Sequence, residues 1–251
     1  MIAGIFHQGS GLGNQLHRYV ATRVLALDKG YEWAMINHEL FKGKDFMDLQ
    51  THHLDSCLGV EEPTENVKRF NEKRVEEDGI DIRGYDPEIN FVEDNTIIDG
   101  EFQDPKYFEH RLAEVSEWLK VEPIDVPNDV CVIGFRGGEF VGVRDLFLPL
   151  DYWEDAIEKM KEINPDMKFE VHTDDPITAK KFFPDFKVIH DIGINWRSTR
   201  YAKYAIITNS SFYILPRLLS GGVTIAPRYW ARRNIGVWAL PSNYYKQFTY
   251  I

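Results

Sequence analysis

IAGIFHQGSGLGNQ, running from Ile2 to Gln15, sets a short apolar run directly before a glycine-rich turn. Ile2 to Phe6 reads as a strand. Gly9, Gly11 and Gly13 then let the backbone bend and approach a ligand closely. Leu16, Tyr19, Val20, Val24 and Leu27 recur at helical spacing until Gly30 ends the run. A strand, a glycine turn and a helix start in succession aim backbone N–H groups at an anion, so the loop reads as a phosphate grip. Two familiar loops are excluded by spacing. No lysine follows the glycines as a P-loop requires, and Leu16 stands where a dinucleotide fingerprint has its third glycine. A turn that merely reverses the chain is the alternative.

The second half alternates more cleanly. Strands are expected at Val130 to Phe135, Lys168 to Thr173, Lys187 to Ile189, Ala205 to Thr208 and Val223 to Ala226. Helices are expected near Tyr152 to Ile163, Ile177 to Phe183, Trp196 to Ala202 and Ser211 to Leu219, with Pro216 kinking or delaying the last. Such alternation predicts a parallel sheet covered by helices, whose ligands bind beyond the carboxyl ends of the strands. Arg136, Asp174 and Ser210 each follow a different expected strand. The first half offers a second strand at Tyr31 to Ile36 and a polar, aperiodic stretch from Lys42 to Asn95. A strand at Thr96 to Asp99 follows, then a helix opened by Asp104-Pro105. Glu122 to Asn128 reads as a linker, dividing the chain into residues 1–121 and 122–251.

With 251 residues, 43% hydrophobic and 14% aromatic, the chain suffices for one large or two small domains. A net charge of −11 argues against nucleic acid or an anionic membrane as partner, but not against a phosphorylated ligand held by a few arginines. No run approaches a membrane span, and the start lacks a basic-then-apolar signal. Cys57 and Cys131 form no disulfide framework, so a cytoplasmic, reducing location without a membrane anchor is expected.

GLGNQLHRYV (Gly11 to Val20) resembles the N-terminal signature of the alpha-1,2-fucosyltransferase family. GEFQDPKYF (Gly100 to Phe108), IGFRGGEF (Ile133 to Phe140), VHTDDP (Val171 to Pro176), IITNSSF (Ile206 to Phe212) and TIAPRYW (Thr224 to Trp230) resemble further segments of that family, in the family's order. The resemblance implies an α/β, two-lobed GT-B-type glycosyltransferase whose C-terminal lobe holds the nucleotide sugar. The implied reaction is inverting, metal-independent transfer of a deoxyhexose, L-fucose from GDP-fucose, to a glycan hydroxyl. No cofactor is expected beyond that GDP-linked co-substrate. A different nucleotide sugar, or a non-catalytic nucleotide-sugar-binding protein, are the alternatives. The block that departs most from the family is Ile133 to Phe140: Gly134 replaces a histidine, Gly137 an arginine, Glu139 an aspartate and Phe140 a tyrosine.

Arg136 is the leading site residue, because a guanidinium fork meets two oxygens of a diphosphate whose charge grows as the sugar leaves. Gly137 and Gly138 would let that ligand approach. Gly11, Gly13, Asn14 and Gln15 are donor-binding candidates from the glycine loop. Asn209, Ser210, Ser211 and Phe212 are candidates from the start of the last helix. Asp174 and Asp175 do not form a D-x-D metal pair. One of them reads a guanine edge, or caps the helix that begins at Pro176. Glu139 is the first candidate for general base and His7 the second. His52-His53 reads as a solvated loop, and Trp196, Tyr201, Tyr204 and Trp230 read as core aromatics or as a stacking surface.

Overall fold

The computed structural model describes residues 1–47, 67–73, 75–77, 80–82, 84–143, 146–228 and 245–251. Cys57, His52, His53 and Trp230 lie outside them. The chain divides into two compact units, Met1–Glu76 with Ile82–Val121 and Glu77–Asp81 with Glu122–Ile251. Each contains an all-parallel sheet with helices, an α/β architecture.

In the first unit, β1 (Ile2–Ile5), β2 (Trp33–Ile36), β3 (Lys68–Asn71) and β6 (Thr96–Asp99) lie in the order β2-β1-β6-β3. Between β3 and β6 in the chain, β4 (Val75–Glu77) and β5 (Ile80–Ile82) pair as a small separate sheet. Helix α1 (Leu12–Lys29) ends at Gly30, whose left-handed φ of 68° returns its N–H to the carbonyls of Ala26 and Leu27. The helix lies close against β1: a Cβ on Gly4 would overlap the Thr22 hydroxyl.

Asp104-Pro105 does not open the expected long helix. Asp104 caps a single 3-10 turn, Pro105–Tyr107, by accepting from the Lys106 N–H at 2.9 Å. Helix α2 begins only at Leu112 and ends at Trp118. Phe108, Val115 and Leu119 are nevertheless all buried.

In the second unit, β7 (Val130–Phe135), β8 (Lys168–Thr173), β9 (Lys187–Ile189), β10 (Tyr204–Ile207), β11 (Val223–Ala226) and β12 (Phe248–Tyr250) form one sheet. Their order is β12-β11-β10-β7-β8-β9, so the chain winds from β7 to one edge and then from β10 to the other. This doubly wound order has its switch point between the carboxyl ends of β7 and β10. The helices are α3 (Leu150–Ile163), α4 (Pro176–Phe182), α5 (Ile192–Tyr201) and α6 (Ser211–Ser220). Helix α6 carries Pro216 inside it without starting later.

All six residues of β7 are buried, as a central strand covered on both faces must be. Cys131, Ile133 and Phe135 join Trp153, Ala156 and Met160 of α3 and Ala179 of α4 in one core. Phe135 sits among the rings of Phe147, Trp153, Phe182 and Phe183, with centroids 5.4–5.9 Å away. Arg217 of α6 is an unexpected core residue with no exposure at all. Its Nε donates to Thr224 Oγ1, Nη1 to the carbonyls of Thr199 and Ala202, and Nη2 to that of Val223, at 2.7–3.0 Å. The guanidinium thereby ties the end of α5 and the start of β11 to α6. Desolvation lowers its pKa to about 10, which leaves it charged at neutral pH.

Replacing Arg217 by methionine keeps much of the volume but leaves several buried acceptors without donors, at about 1–3 kcal/mol each. Arg217→Met is expected to lower unfolding free energy by about 3 kcal/mol or more, measured by urea denaturation. A loss below about 1 kcal/mol would show that the guanidinium is not this strut.

Candidate functional site

The β7–β8 register pairs Phe135 with Thr173, so the next residues on each strand leave the sheet together. They are Arg136-Gly137-Gly138 on one side and Asp174-Asp175 on the other. Arg136 Nη1 donates to Asp174 Oδ2 at 2.6 Å, and the Gly137 N–H donates to Asp174 Oδ1 at 3.0 Å. Arg136 Nη2 reaches Glu139 Oε1 at 2.8 Å, and its guanidinium lies 5.4 Å from the Phe140 ring centre. Asp175 takes the capping alternative: Oδ1 accepts the Thr178 N–H at 3.0 Å, and Oδ2 accepts that of Gly138 at 3.3 Å. Bonds from the Thr178 side chain and backbone hold its carboxyl below the ordinary aspartate range.

Both aspartates therefore hold the loop after β7. The same contacts give Gly137 and Gly138 a structural use. A Cβ on Gly137 would stand 2.6 Å from the Asp175 Cβ. One on Gly138, whose φ is +43°, would stand 2.5 Å from Asp174 Oδ2. The glycines make room for carboxylates of their own chain.

Gly134 has a comparable cause. A Cβ there would sit 2.5–2.8 Å from the Tyr213 ring, which packs against the strand and donates its hydroxyl to the His172 carbonyl at 2.7 Å. The histidine of the family motif has no space here.

Across the switch point, Thr208, Asn209 and Ser210 follow β10 and are all buried. Asn209 donates to the Leu146 carbonyl at 3.0 Å and accepts from the Thr208 hydroxyl at 2.9 Å. Ser210 occupies the N-cap of α6 without a side-chain capping bond, and Ser211 begins the helix. Phe212 packs edge-on against Trp196 at 5.7 Å. Trp196 is fully buried and Tyr204 nearly so, the core alternative for both, while Tyr201 is half-buried.

In the first unit, Gly11 is the N-cap of α1 and Gly9 adopts a φ of +84°. Gly13 is buried and its carbonyl is bound by His17 Nδ1 at 2.8 Å. Asn14 accepts from Gln103 at 3.1 Å. Gln15 is buried and clamps the chain at residues 40–42, donating to the Leu40 carbonyl and accepting from the Lys42 N–H at 2.8–2.9 Å. Its amide faces protein.

His7 follows β1 and binds Asp99 at the end of β6, with Nε2 and Oδ1 2.8 Å apart. Arg18, reaching from α1, approaches Asp99 Oδ1 at 3.4 Å and Glu101 Oε1 at 2.9 Å. Sequence reasoning singled out His7 but missed Asp99, Glu101 and Arg18, since 92 residues separate His7 from Asp99. Burial pushes His17 and His172 down to about 4, so both stay neutral near pH 7.

Among the described residues, no group of three or more His, Cys, Asp or Glu could hold a metal ion. No helix among them is long and apolar enough to cross a membrane.

No known family's sequence profile matches the chain, and no curated protein does. Solved structures resemble it weakly, among them two of one bacterial enzyme. Escherichia coli heptosyltransferase WaaC with ADP-2-deoxy-2-fluoro heptose is 11% identical at a TM-score of 0.49, with 100% of this chain and 93% of that chain covered. WaaC with ADP gives 11% identity and a TM-score of 0.46 over 100% of this chain and 92% of that one. Neither is a fucosyltransferase.

Introducing the histidine of the motif that this block resembles tests the packing account of Gly134. Gly134→His is expected to cost about 3 kcal/mol or more through overpacking. Combined with Tyr213→Ala, it should be less destabilising than the two single losses summed, by more than about 1 kcal/mol. Strict additivity in urea denaturation would separate the two positions.

Proposed function

We propose that this protein is a glycosyltransferase that moves a sugar from a nucleoside diphosphate to a hydroxyl of a glycan. Arg136 receives the diphosphate, and L-fucose carried on GDP is the donor favoured by the sequence resemblance. The observation that carries this reading is the position of Arg136: it leaves β7 at the switch point of a doubly wound sheet, opposite the Thr208-Asn209-Ser210 turn. In the reaction the bond from the sugar's anomeric carbon to the diphosphate breaks, and its electron pair leaves with the nucleotide. The acceptor oxygen bonds to that carbon from the opposite face as its proton departs. The guanidinium stabilises the growing diphosphate charge.

The two carboxylates on Arg136 have different parts in this scheme. Asp174, in the turn after β8, keeps the guanidinium aimed. Glu139 has a side chain 73% exposed and occupies the outer side of the fork until the diphosphate displaces it. Glu139, bonded to Arg136 Nη2 at 2.8 Å, is in this scheme the place-holder that the diphosphate replaces.

The donor assignment is tested by thermal shift with GDP, UDP and ADP. GDP at a hundredfold excess over its Kd is expected to add about 2.7 kcal/mol of stability, with the others adding less. Equal or greater stabilisation by UDP or ADP would remove GDP-fucose. Transfer is expected to survive excess EDTA, because arginine supplies the charge. Loss of activity restored by manganese would contradict that role for Arg136.

A further inference from the structure

The rim of the second unit's sheet carries polar and apolar groups beyond those around Arg136. The register sets Phe135 level with Thr173 and pairs His172 with Ile189, so Arg136, Asp174 and His190 leave β7, β8 and β9 side by side. Neighbouring strands lie about 4.8 Å apart, which puts His190 roughly 10 Å from Arg136 along the rim. An extended nucleoside diphosphate reaches that far from its diphosphate to its base. Resting on the nucleotide-sugar reading, we infer that His190 reads the donor's nucleobase. Its Nε2 accepts a hydrogen bond from an N–H on the base edge, and Ile177 and Ile192 pack on the base ring.

The hydrogen bonds behind His190 fix which nitrogen is offered. A carbonyl only accepts, so the 3.0 Å contact between His190 Nδ1 and the Thr173 carbonyl requires Nδ1 to carry the proton. Nε2 then holds the lone pair, and it has no partner among the described residues. The ring is half-buried. The same carbonyl receives Asn195 Nδ2 at 3.1 Å, and Asn195 Oδ1 accepts from His172 Nδ1 at 3.1 Å. His172 and Asn195 are both buried, so the ring is anchored through the core. An imidazole held in this tautomer presents an acceptor. Base edges supply the matching donors, and guanine carries two adjacent ones, its ring N–H and its amino group.

The apolar part comes from the helix starts. Helices α4 and α5 begin at this rim, one strand apart, after β8 and β9. Ile177, the second residue of α4, is 72% exposed, and Ile192, the first of α5, is 43% exposed. Their turns are fixed by caps: Asp175 accepts the Thr178 N–H at 3.0 Å and Asp191 that of Ile194 at 2.7 Å. Covering these side chains with a flat ring removes apolar surface from water. A base has apolar faces and a polar edge, and this rim supplies apolar side chains beside one oriented acceptor.

Calorimetry tests the assignment with whichever of GDP, UDP and ADP binds tightest, with its nucleoside, and with inorganic pyrophosphate. The proteins are the wild type, His190→Phe, Ile177→Ser and Arg136→Ala. His190→Phe is expected to weaken nucleotide and nucleoside alike by about tenfold and to leave pyrophosphate binding unchanged. Ile177→Ser is expected to act in the same direction by roughly threefold. Arg136→Ala is expected to weaken pyrophosphate and leave the nucleoside unchanged. Nitrogen-15 NMR of the wild type is expected to show His190 protonated at Nδ1, with Nε2 shifting when nucleoside binds. If His190→Phe binds the nucleoside like the wild type, or loses pyrophosphate in step, the base contact is overturned while the reading of Arg136 stands on its own variant. If the wild type binds none of the three nucleotides, the nucleotide-sugar reading fails and takes the base contact with it.

Discussion

The Asp174 carboxylate binds Arg136 with one oxygen and the Gly137 N–H with the other. On that fork depends the loop through which the central strand of the second unit meets solvent. The β7–β8 register brings the two strand ends out side by side. Two aspartates on one strand end meet two glycines on the other, and each glycine is small where a carboxylate needs room. The arginine is thereby aimed before any ligand arrives, so little conformational entropy remains to be lost when an anion binds. In the proposed reading the incoming anion displaces the exposed Glu139 and leaves the Asp174 contact in place.

Each unit, taken by itself, gathers its chemistry at the same topological place. In the second, Arg136 and the Thr208-Asn209-Ser210 turn flank the gap between β7 and β10. In the first, His7 and Asp99 flank that between β1 and β6. The cause lies in the connections: where successive helices turn to opposite sides of a sheet, the loops diverge and leave a crevice. Polar side chains at such strand ends do not interrupt the buried ladder, so a sheet tolerates them there.

Much of this was legible in the sequence because buried parallel strands are continuous apolar runs. Thr96–Asp99, Lys168–Thr173, Lys187–Ile189 and Val223–Ala226 emerge with the expected bounds. Two other edge strands were not legible. Lys68–Asn71 is an edge strand with largely exposed, polar residues and lies within the stretch read as aperiodic, while Phe248–Tyr250 has only three residues. Asp104-Pro105 gave a true capping signal, but the turn it caps is not continued into a helix. Arg217 is invisible for another reason: a charged residue reads as surface, and only the fold brings four oxygen acceptors around it. The pairings that define the candidate sites join residues tens of positions apart, and strand order alone brings them together.

The central claim is that Arg136 receives a diphosphate, and calorimetry tests it directly. Binding of GDP, UDP and ADP is compared with binding of guanosine, uridine and adenosine, in the wild type and in Arg136→Ala. The wild type should bind one diphosphate more tightly than its nucleoside. Arg136→Ala should remove about ten- to a hundredfold of that difference, the equivalent of one charged hydrogen bond of about 1.5–3 kcal/mol, and leave nucleoside affinity unchanged. A diphosphate preference that survives in Arg136→Ala would contradict the account.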